Sequence, residues 1–125
     1  MDARQGMDGA EAVKLTRGSV VLVTLDPTVG HEQRGIRPCV VASDPEVVDD
    51  QKFPMVCVIP VTATAGTGVL YPSLARGRSG LASPSYALID QLRSIDKRRI
   101  QRVYGEITRS EQEAVDSGLR AFLGL

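Results

Sequence analysis

The chain reads Ser19-Val20-Val21-Leu22-Val23-Thr24-Leu25 in its first strongly apolar run, and Asp26-Pro27-Thr28-Val29-Gly30 follows directly. β-Branched residues fill the first segment, whereas proline, glycine and aspartate in the second favour a turn. Together they predict a β-strand over residues 19–25 that ends in a turn. The uninterrupted apolar stretch from 20 to 23 is typical of a central strand that is covered on both faces.

The chain continues with short apolar runs that are separated by polar or glycine-containing connections. Because no helical pattern separates these runs, crossover helices are unavailable and the sheet is expected to be mainly antiparallel. We expect it to curl into a small barrel, with a dimer partner completing the cover of its central strands. The further elements expected are strands at 38–43, 55–61, 69–74, 85–93 and 103–108, an acidic loop at 44–50 and a helical turn at 96–100.

One proper helix is expected, near the C-terminal end of the sequence. Ser110 is a good N-cap, and Glu113 follows three residues later, which is the pattern of a capping box. This helix is expected to pack one face on the core. The residues that share that face are Ala114, Val115, Gly118, Leu119 and Phe122.

Length and composition limit the classes of protein that fit. The chain has 125 residues, of which 42% are hydrophobic, so we expect one domain at 17–125 after a disordered extension at 1–16. Basic and acidic residues balance at 15 each, which excludes a general cationic coat for nucleic acid. Residues 76–109 nevertheless hold eight basic residues and three acidic ones. Any binding of anions is therefore expected to be local.

Metal and membrane sites are not expected. Cys39 and Cys57 lie in apolar runs without a Cys-x-x-Cys pair, and the chain has one histidine, too few ligands for zinc. Both cysteines are expected to be reduced core thiols. No cofactor is expected, and the absence of a membrane-span pattern and of a signal-peptide pattern leads us to expect a cytoplasmic protein.

The candidate chemistry starts at Arg37, in the segment Glu32-Gln33-Arg34-Gly35-Ile36-Arg37-Pro38. Pro38 keeps the preceding residue extended, so Arg37 leaves the mouth of the following strand in a defined direction, and its forked donors suit a phosphate. Thr62 ends another strand with a free hydroxyl. Gln91 and Arg93 are expected on one strand face by two-residue alternation. Gln91 could read a base edge and Arg93 could hold a phosphate.

Taken in order, these motifs resemble the MazF/PemK toxins of toxin–antitoxin systems. The resemblance runs from about residue 17 to the end, and Ser19 departs from it where the family usually has aspartate. The matching segments are Arg17-Gly18, Leu25 to Gln33, Gly35-Ile36-Arg37-Pro38, Ile59-Pro60-Val61-Thr62, Asp90 to Asp96 and the terminal helix.

The resemblance implies an SH3-like barrel and a sequence-selective endoribonuclease that cuts single-stranded RNA without metal, through attack of the ribose 2′-hydroxyl on the adjacent phosphorus. It also implies a homodimer with RNA along the dimer face, and an antitoxin that covers the same groove. Arg37 and Thr62 fall on the family's catalytic positions. The residues that fall on substrate-contacting positions are Glu32, Gln33, Gln91 and Arg93.

Alternatives remain open at this point. Glu32 could accept the 2′-proton, whereas His31 lacks an evident partner and is interpreted as a solvated loop residue. Gln91 and Arg93 could instead pair structurally with Asp90 or Asp96. A toxin of the same barrel class that poisons DNA gyrase through its terminal helix is the alternative function, and an RNA-binding module without turnover is a third.

Overall fold

The computed structural model describes residues 15–26 and 29–125. Its strands are β1 (Ser19–Thr24), β2 (Ile36–Val41), β3 (Met55–Thr62), β4 (Ser73–Leu74), β5 (Ser85–Ala87), β6 (Arg93–Asp96) and β7 (Ile100–Glu106). Its helices are α1 (Pro45–Asp49) and α2 (Arg109–Leu123), with 3-10 turns at Ile89–Gln91 and Lys97–Arg99.

All strand pairs are antiparallel, in the order β4-β5-β3-β2-β1-β7. β6 is not in this linear order, because it also pairs with β3. The first half of β3 pairs with β6, and the end of β3 pairs with β5. The sheet curls into a half-barrel, and α2 follows its last strand. The predicted class, a small SH3-like antiparallel barrel with a C-terminal helix, is confirmed.

The three central strands, β1, β2 and β3, bury alternate residues in two different hydrophobic clusters. Val20, Val40 and Ile59 belong to the cluster that includes Val115 and Leu119 of α2. Their chain neighbours belong to the other cluster, beneath α1, β6 and β7. The members from the central strands in that second cluster are Val21, Val23, Cys39, Val41, Val56 and Val58.

Both faces of the central strands are therefore covered within one chain, as the apolar run 20–23 indicated. Val20, Val21, Val40 and Val41 have no exposed surface. The sequence argument for a dimer partner assumed that part of these faces would be left open. The expectation of a homodimer then depends on the family resemblance and not on an uncovered core.

Two connections differ from the predicted elements. The acidic loop contains the helix α1, because Asp44 accepts a hydrogen bond from Glu46 N at 2.8 Å and Pro45 occupies the first turn. The strand expected at 85–93 is interrupted by the 3-10 turn Ile89–Gln91, where Ile89 N donates to Leu70 O at 3.0 Å. The strand expected at 69–74 is reduced to β4.

The capping box of α2 lies two residues before the predicted one. Thr108 is the N-cap: its hydroxyl accepts from Glu111 N at 3.2 Å, and Glu111 Oε1 accepts from Thr108 N at 2.8 Å. Ser110 and Glu113, the predicted pair, both lie inside the helix and are exposed. Of the predicted face, Val115, Gly118 and Leu119 are buried. Ala114 and Phe122 are exposed.

The predicted extension at 1–16 lies outside the described residues except for its last two positions. Leu15 is buried and belongs to the hydrophobic cluster beneath α1, β6 and β7. Thr16 N donates to Ser19 Oγ at 3.0 Å. Among the described residues, packing on the core already includes Leu15, and the proposed domain boundary stays a prediction.

Candidate active site

The ladder between β2 and β3 relates the two residues expected to act together. It pairs Val41 with Val58, Val40 with Ile59 and Cys39 with Pro60. The recorded pairing ends at Cys39 and Pro60. Extending the same register by two residues beyond it would set Arg37 opposite Thr62. Directly opposed residues of an antiparallel pair share one face of the sheet. Here that face also carries the cluster containing Cys39 and Val58.

Prolines interrupt the ladder at this point. Pro38 and Pro60 have no N–H to donate, so neither strand can continue a complete ladder through them. Pro60 instead uses its carbonyl to accept from Leu88 N on the β5 side, at 2.9 Å. The space between Arg37 and Thr62 is thus not closed by backbone hydrogen bonds from these two positions.

Arg37 is exposed, and its guanidinium is held by the preceding loop. Its Nε donates to Arg34 O at 3.0 Å. Among the described residues no carboxylate forms an ion pair with Arg37. Both terminal nitrogens therefore keep their donors for an anion in front of the strand end.

Thr62 lies at the edge of an open groove of about 450 Å³. Its Oγ1 accepts from Thr64 N at 3.1 Å, which leaves the hydroxyl hydrogen free to be donated. Gln33, Tyr71 and Leu88 also line this groove, together with residues 64–67. A strand-end hydroxyl thus opens into a cavity that an extended ligand can enter from the side.

The four residues expected to contact substrate are brought together. Glu32, Gln33, Gln91 and Arg93 line one small cleft of about 100 Å³, which they share with Pro60, Asp90 and Leu92. Gln33 lines the larger groove as well, so the two cavities adjoin. The alternation argument for Gln91 and Arg93 is wrong, because Gln91 ends a 3-10 turn and only Arg93 is in a strand.

Gln91 holds the loop that precedes β2. Its Oε1 accepts from Gln33 N at 3.2 Å, and its Nε2 donates to His31 O at 3.1 Å. The side-chain amide is engaged at both ends, and it fixes the backbone on either side of Glu32. Glu32 is exposed, and its Oε1 accepts from Val29 N at 2.7 Å.

The other end of the loop is closed by Asp26 and Gly35. Gly35 N donates to Asp26 Oδ1 at 3.1 Å, and Leu25 N donates to Gly35 O at 2.8 Å. Gly35 has φ of 80°, a left-handed conformation that glycine adopts at little cost. The sequence indicated a turn at Asp26, but the role of its carboxylate depends on a partner nine residues later.

Arg93 reaches across to the end of β1. One terminal nitrogen donates to Leu25 O at 3.0 Å. The guanidinium also lies near Cys39 and lowers the pKa of that thiol, but burial outweighs it and raises the pKa to about 12. Cys39 is therefore an inert core thiol, whereas Arg93 keeps further donors at the margin of the cleft.

Tyr71 lies near the site, although no sequence pattern pointed to it. It donates from its hydroxyl to Asp90 Oδ2 at 2.7 Å. This hydrogen bond to a carboxylate raises the pKa of Tyr71. Tyr71 falls in a connection expected to be a weak strand, and no short-range pattern links it to a residue 19 positions later.

Residues 15–26 and 29–125 hold neither a metal-binding cluster nor a membrane-spanning helix. No group of three or more histidine, cysteine, aspartate or glutamate residues there is placed to hold a metal ion. In the same part of the chain, neither helix has the length and apolar character needed to cross a bilayer.

Comparison with known proteins gives consistent matches. The family model of PemK-like, MazF-like toxins of type II toxin–antitoxin systems matches residues 16–123. MazF from Deinococcus radiodurans is 26% identical, with a TM-score of 0.73 over 90% of this chain and 99% of that one. The MazE–MazF complex of the same organism gives 26% identity and a TM-score of 0.70, covering 90% and 98%.

A mycobacterial endoribonuclease in complex with its cognate antitoxin is 20% identical. Its TM-score is 0.71, over 89% of this chain and 96% of that one. At this level of identity the likeness concerns the fold.

Proposed function

The chain belongs to the PemK-like, MazF-like toxins of type II toxin–antitoxin systems, and on that premise we propose that it cuts single-stranded RNA at selected sequences without a metal ion. Toxins of this family are endoribonucleases. Cleavage of messenger RNA in the cytoplasm would stop translation and growth. The observation that supports the proposal is the β2–β3 register, which pairs Cys39 with Pro60 and, extended by two residues, sets Arg37 opposite Thr62.

The proposed reaction is attack of a ribose 2′-oxygen on the adjacent phosphorus, with departure of the 5′-oxygen of the next nucleotide. The products are a 2′,3′-cyclic phosphate and a 5′-hydroxyl end. Because the nucleophile is already tethered to its target, alignment supplies much of the acceleration. The protein has to stabilise the negative charge that develops on the phosphoryl oxygens.

Arg37 and Thr62 are the proposed source of that stabilisation. The two terminal nitrogens of Arg37 can donate to two phosphoryl oxygens, while Arg34 O holds its Nε. Thr62 adds a hydroxyl donor. Arginine is almost always protonated, so we assign Arg37 to charge stabilisation and to protonation of the leaving oxygen rather than to removal of the 2′-proton.

Glu32 is the proposed base. Its carboxylate lies in the loop that leads to Arg37, and it is exposed. In the present arrangement Oε1 accepts from Val29 N. Proton transfer from the 2′-hydroxyl then requires the loop to bring Glu32 over the strand end, and substrate-induced closure of this kind is common in enzymes.

Gln33, Gln91 and Arg93 are proposed to bind substrate through the cleft that they share with Glu32. Arg93 retains donors for a backbone phosphate beyond the one given to Leu25 O. Both ends of the Gln91 amide are occupied by the loop. Gln91 therefore either exchanges these bonds for a base edge or positions Glu32 and Gln33 indirectly.

The proposed partners follow from the family. The Deinococcus and mycobacterial relatives form complexes with antitoxins. We propose that this toxin has a cognate antitoxin that covers the groove beside Thr62, and that it acts as a homodimer with RNA along the dimer face.

The test is incubation of the purified chain with mixed-sequence single-stranded RNA in excess chelator, followed by mapping of the cut sites and of the ends. We expect cuts at a defined sequence that leave cyclic phosphate and 5′-hydroxyl ends. The Arg37→Ala variant is the matched control, and it should leave the RNA intact. Intact RNA with the unaltered protein across many sequences would contradict the proposal.

One observation favours a second candidate, a gyrase-poisoning toxin of CcdB-like type. Phe122, Leu123 and Leu125 are all exposed at the end of α2, a surface that could dock on a protein. A supercoiling assay with added protein separates the two functions. Inhibition of gyrase by the Arg37→Ala variant would favour this candidate over the nuclease.

A further inference from the structure

Tyr71 lies beside the proposed cleavage site, and none of the roles described above uses it. It lines the groove that also contains Thr62 and Gln33. Its hydroxyl is bonded to Asp90, which lines the neighbouring cleft together with Gln91. Tyr71 thus connects the two cavities at which the substrate is proposed to bind.

Two contacts hold this side chain and a third holds its backbone. The hydroxyl donates to Asp90 Oδ2 at 2.7 Å, and Tyr71 N donates to Gly68 O at 3.1 Å. The backbone of Gly66 packs closely against it, because a Cβ at Gly66 would lie 3.0 Å from Tyr71 Cβ and 3.2 Å from its Cγ. The ring is therefore placed before any ligand arrives, and little conformational freedom is left to lose on binding.

Aromatic rings are scarce in this chain. It has three tyrosines, two phenylalanines and no tryptophan. Tyr71 is the one of these five that lines the groove next to Thr62. Tyr86 is paired with Thr62 across the β3–β5 ladder but does not line this groove. A fixed, half-buried ring in a groove is the feature on which unpaired bases of single-stranded RNA stack.

On the basis of the nuclease function proposed above, we propose that Tyr71 stacks on the base of a nucleotide that flanks the cleaved phosphate. The stack would hold that nucleotide in the groove while Arg37 and Thr62 hold the phosphate at the strand ends. Tyr71 is then a determinant of substrate position and of sequence preference, and Asp90 fixes the angle of its ring.

The chain offers a direct spectroscopic test, because the Tyr71→Trp variant contains a single tryptophan. The ligand is an RNA of the mapped sequence with a 2′-O-methyl ribose at the cut, which blocks attack. Anisotropy of a label on the RNA reports binding, and tryptophan emission reports stacking. We expect quenching on binding, and loss of quenching when one of the two nucleotides flanking the cut is made abasic. Tyr104→Trp, on β7 and outside the groove, is the matched control and should not be quenched.

A second measurement does not depend on the tryptophan variant. The unaltered protein should bind the abasic RNA about 5- to 100-fold more weakly than the intact RNA, the range expected for loss of one base–aromatic stack. The Tyr71→Ala variant should bind both RNAs equally, because it has already lost the stack. Tyr71→Phe retains the ring and should lose less affinity than Tyr71→Ala.

The outcomes separate this inference from the proposed function. Two results together would overturn the stacking role and leave the nuclease in place, provided that RNA is bound and cut. The first is unchanged emission of the Tyr71→Trp variant on binding. The second is an equal loss of affinity for the abasic RNA in the unaltered protein and in Tyr71→Ala. Failure of the unaltered protein to bind or cut any RNA would overturn the nuclease first, and the stacking role with it.

Discussion

Arg37 combines a fixed orientation with an unneutralised charge. Its Nε is tied to Arg34 O, yet its terminal nitrogens face no described carboxylate. The carbonyl fixes the plane of the guanidinium without neutralising its charge. A lysine at this position would keep the charge but would lose both the planar fork and the bond that aims it.

We therefore expect Arg37→Lys to be almost as inactive as Arg37→Ala. Loss of one such donor typically lowers the rate about 100- to 1000-fold, and kcat/KM for an RNA of the mapped sequence measures it. Arg120→Lys, at an exposed position of α2, is the control and should retain full activity. A fully active Arg37→Lys enzyme would show that the fork is not used.

Asp96 allows a prediction about pH. Arg98 donates two side-chain bonds and one backbone bond to this carboxylate, which lowers its pKa from 3.8 to about 2. Because the folded-state pKa lies below the unfolded one, the interaction stabilises the fold above about pH 3.8 and is lost as the pH falls from 3.8 to about 2.

Titration of the carboxyl carbons by NMR should give Asp96 a pKa of about 2. The Arg98→Ala variant should return it toward 3.8. Arg102→Ala is the control, because Arg102 lies over the ring of Tyr104 and donates no bond to Asp96. An unchanged Asp96 titration in Arg98→Ala would contradict the assigned cause.

At the residue scale, the sequence indicated which residues lie at strand ends but not which hydrogen bonds their side chains make. The positions of Arg37 and Thr62 near strand ends were predictable because strand ends and prolines are local signals, whereas their proposed roles come from the family resemblance. The bonds that hold the loop were not predictable, because Gln91 reaches partners 58 and 60 positions away and Arg93 reaches one 68 positions away. Whether a polar side chain binds substrate or backbone is decided by such distant partners.

Among the elements, α2 shows how a correct pattern can be placed at the wrong residues. Thr108-x-x-Glu111 and Ser110-x-x-Glu113 both fit the capping-box pattern. The helix is capped by the first pair because Glu111 also makes a tertiary contact. Its Oε2 accepts a hydrogen bond from Ala75 N, just after β4, at 2.7 Å. The tertiary contact therefore selects the cap.

Thr108→Ala should lower the free energy of unfolding by about 1 kcal/mol, the usual effect of removing an N-cap side chain. Urea denaturation followed by circular dichroism measures the loss. Ser110→Ala is the matched control: Ser110 is exposed within the helix and its hydroxyl lies 3.3 Å from Thr108 Oγ1, but it caps no backbone N–H, so its loss should be smaller. An equal loss of unfolding free energy in the two variants would contradict the assignment of Thr108 as the N-cap.

For the molecule as a whole, the packing of α2 includes one close approach of backbone to backbone, beside the buried contacts of Val115 and Leu119. A Cβ at Gly118 would lie 2.7 Å from Val69 O and 2.9 Å from Ile89 Cγ1. Ile89 begins the 3-10 turn that ends at Gln91. The helix thus packs directly on the segment that supports the proposed site.

Gly118→Ala should destabilise the protein although alanine is the better helix former. The gain in helix propensity is about 1 kcal/mol, whereas overpacking typically costs about 1–3 kcal/mol. The backbone oxygen of Val69 has little freedom to move, so we expect a net loss in urea denaturation. Ser117→Ala, at the exposed neighbouring position, should be neutral or slightly stabilising. A stabilised Gly118→Ala variant would mean that the contact with Val69 is loose.

The antiparallel sheet, its central strands and the terminal helix were predictable from the order of apolar runs, because local patterns determine them. The fork of β3 between β5 and β6 was not predictable. It lies where Ile89 N donates a hydrogen bond to Leu70 O and where Leu88 N donates one to Pro60 O. Both hydrogen bonds join residues that are far apart in the sequence.

The pairing of β1 with β7 has a consequence for biosynthesis. Val20 of β1 is paired with Gly105 of β7, 85 positions later. The sheet therefore cannot be completed until β7 has left the ribosome. A nascent chain that already carries Arg37 and Thr62 still lacks β7 and the helix that follows it. The sheet that carries Arg37 and Thr62 would therefore be completed during synthesis only after β7 has left the ribosome.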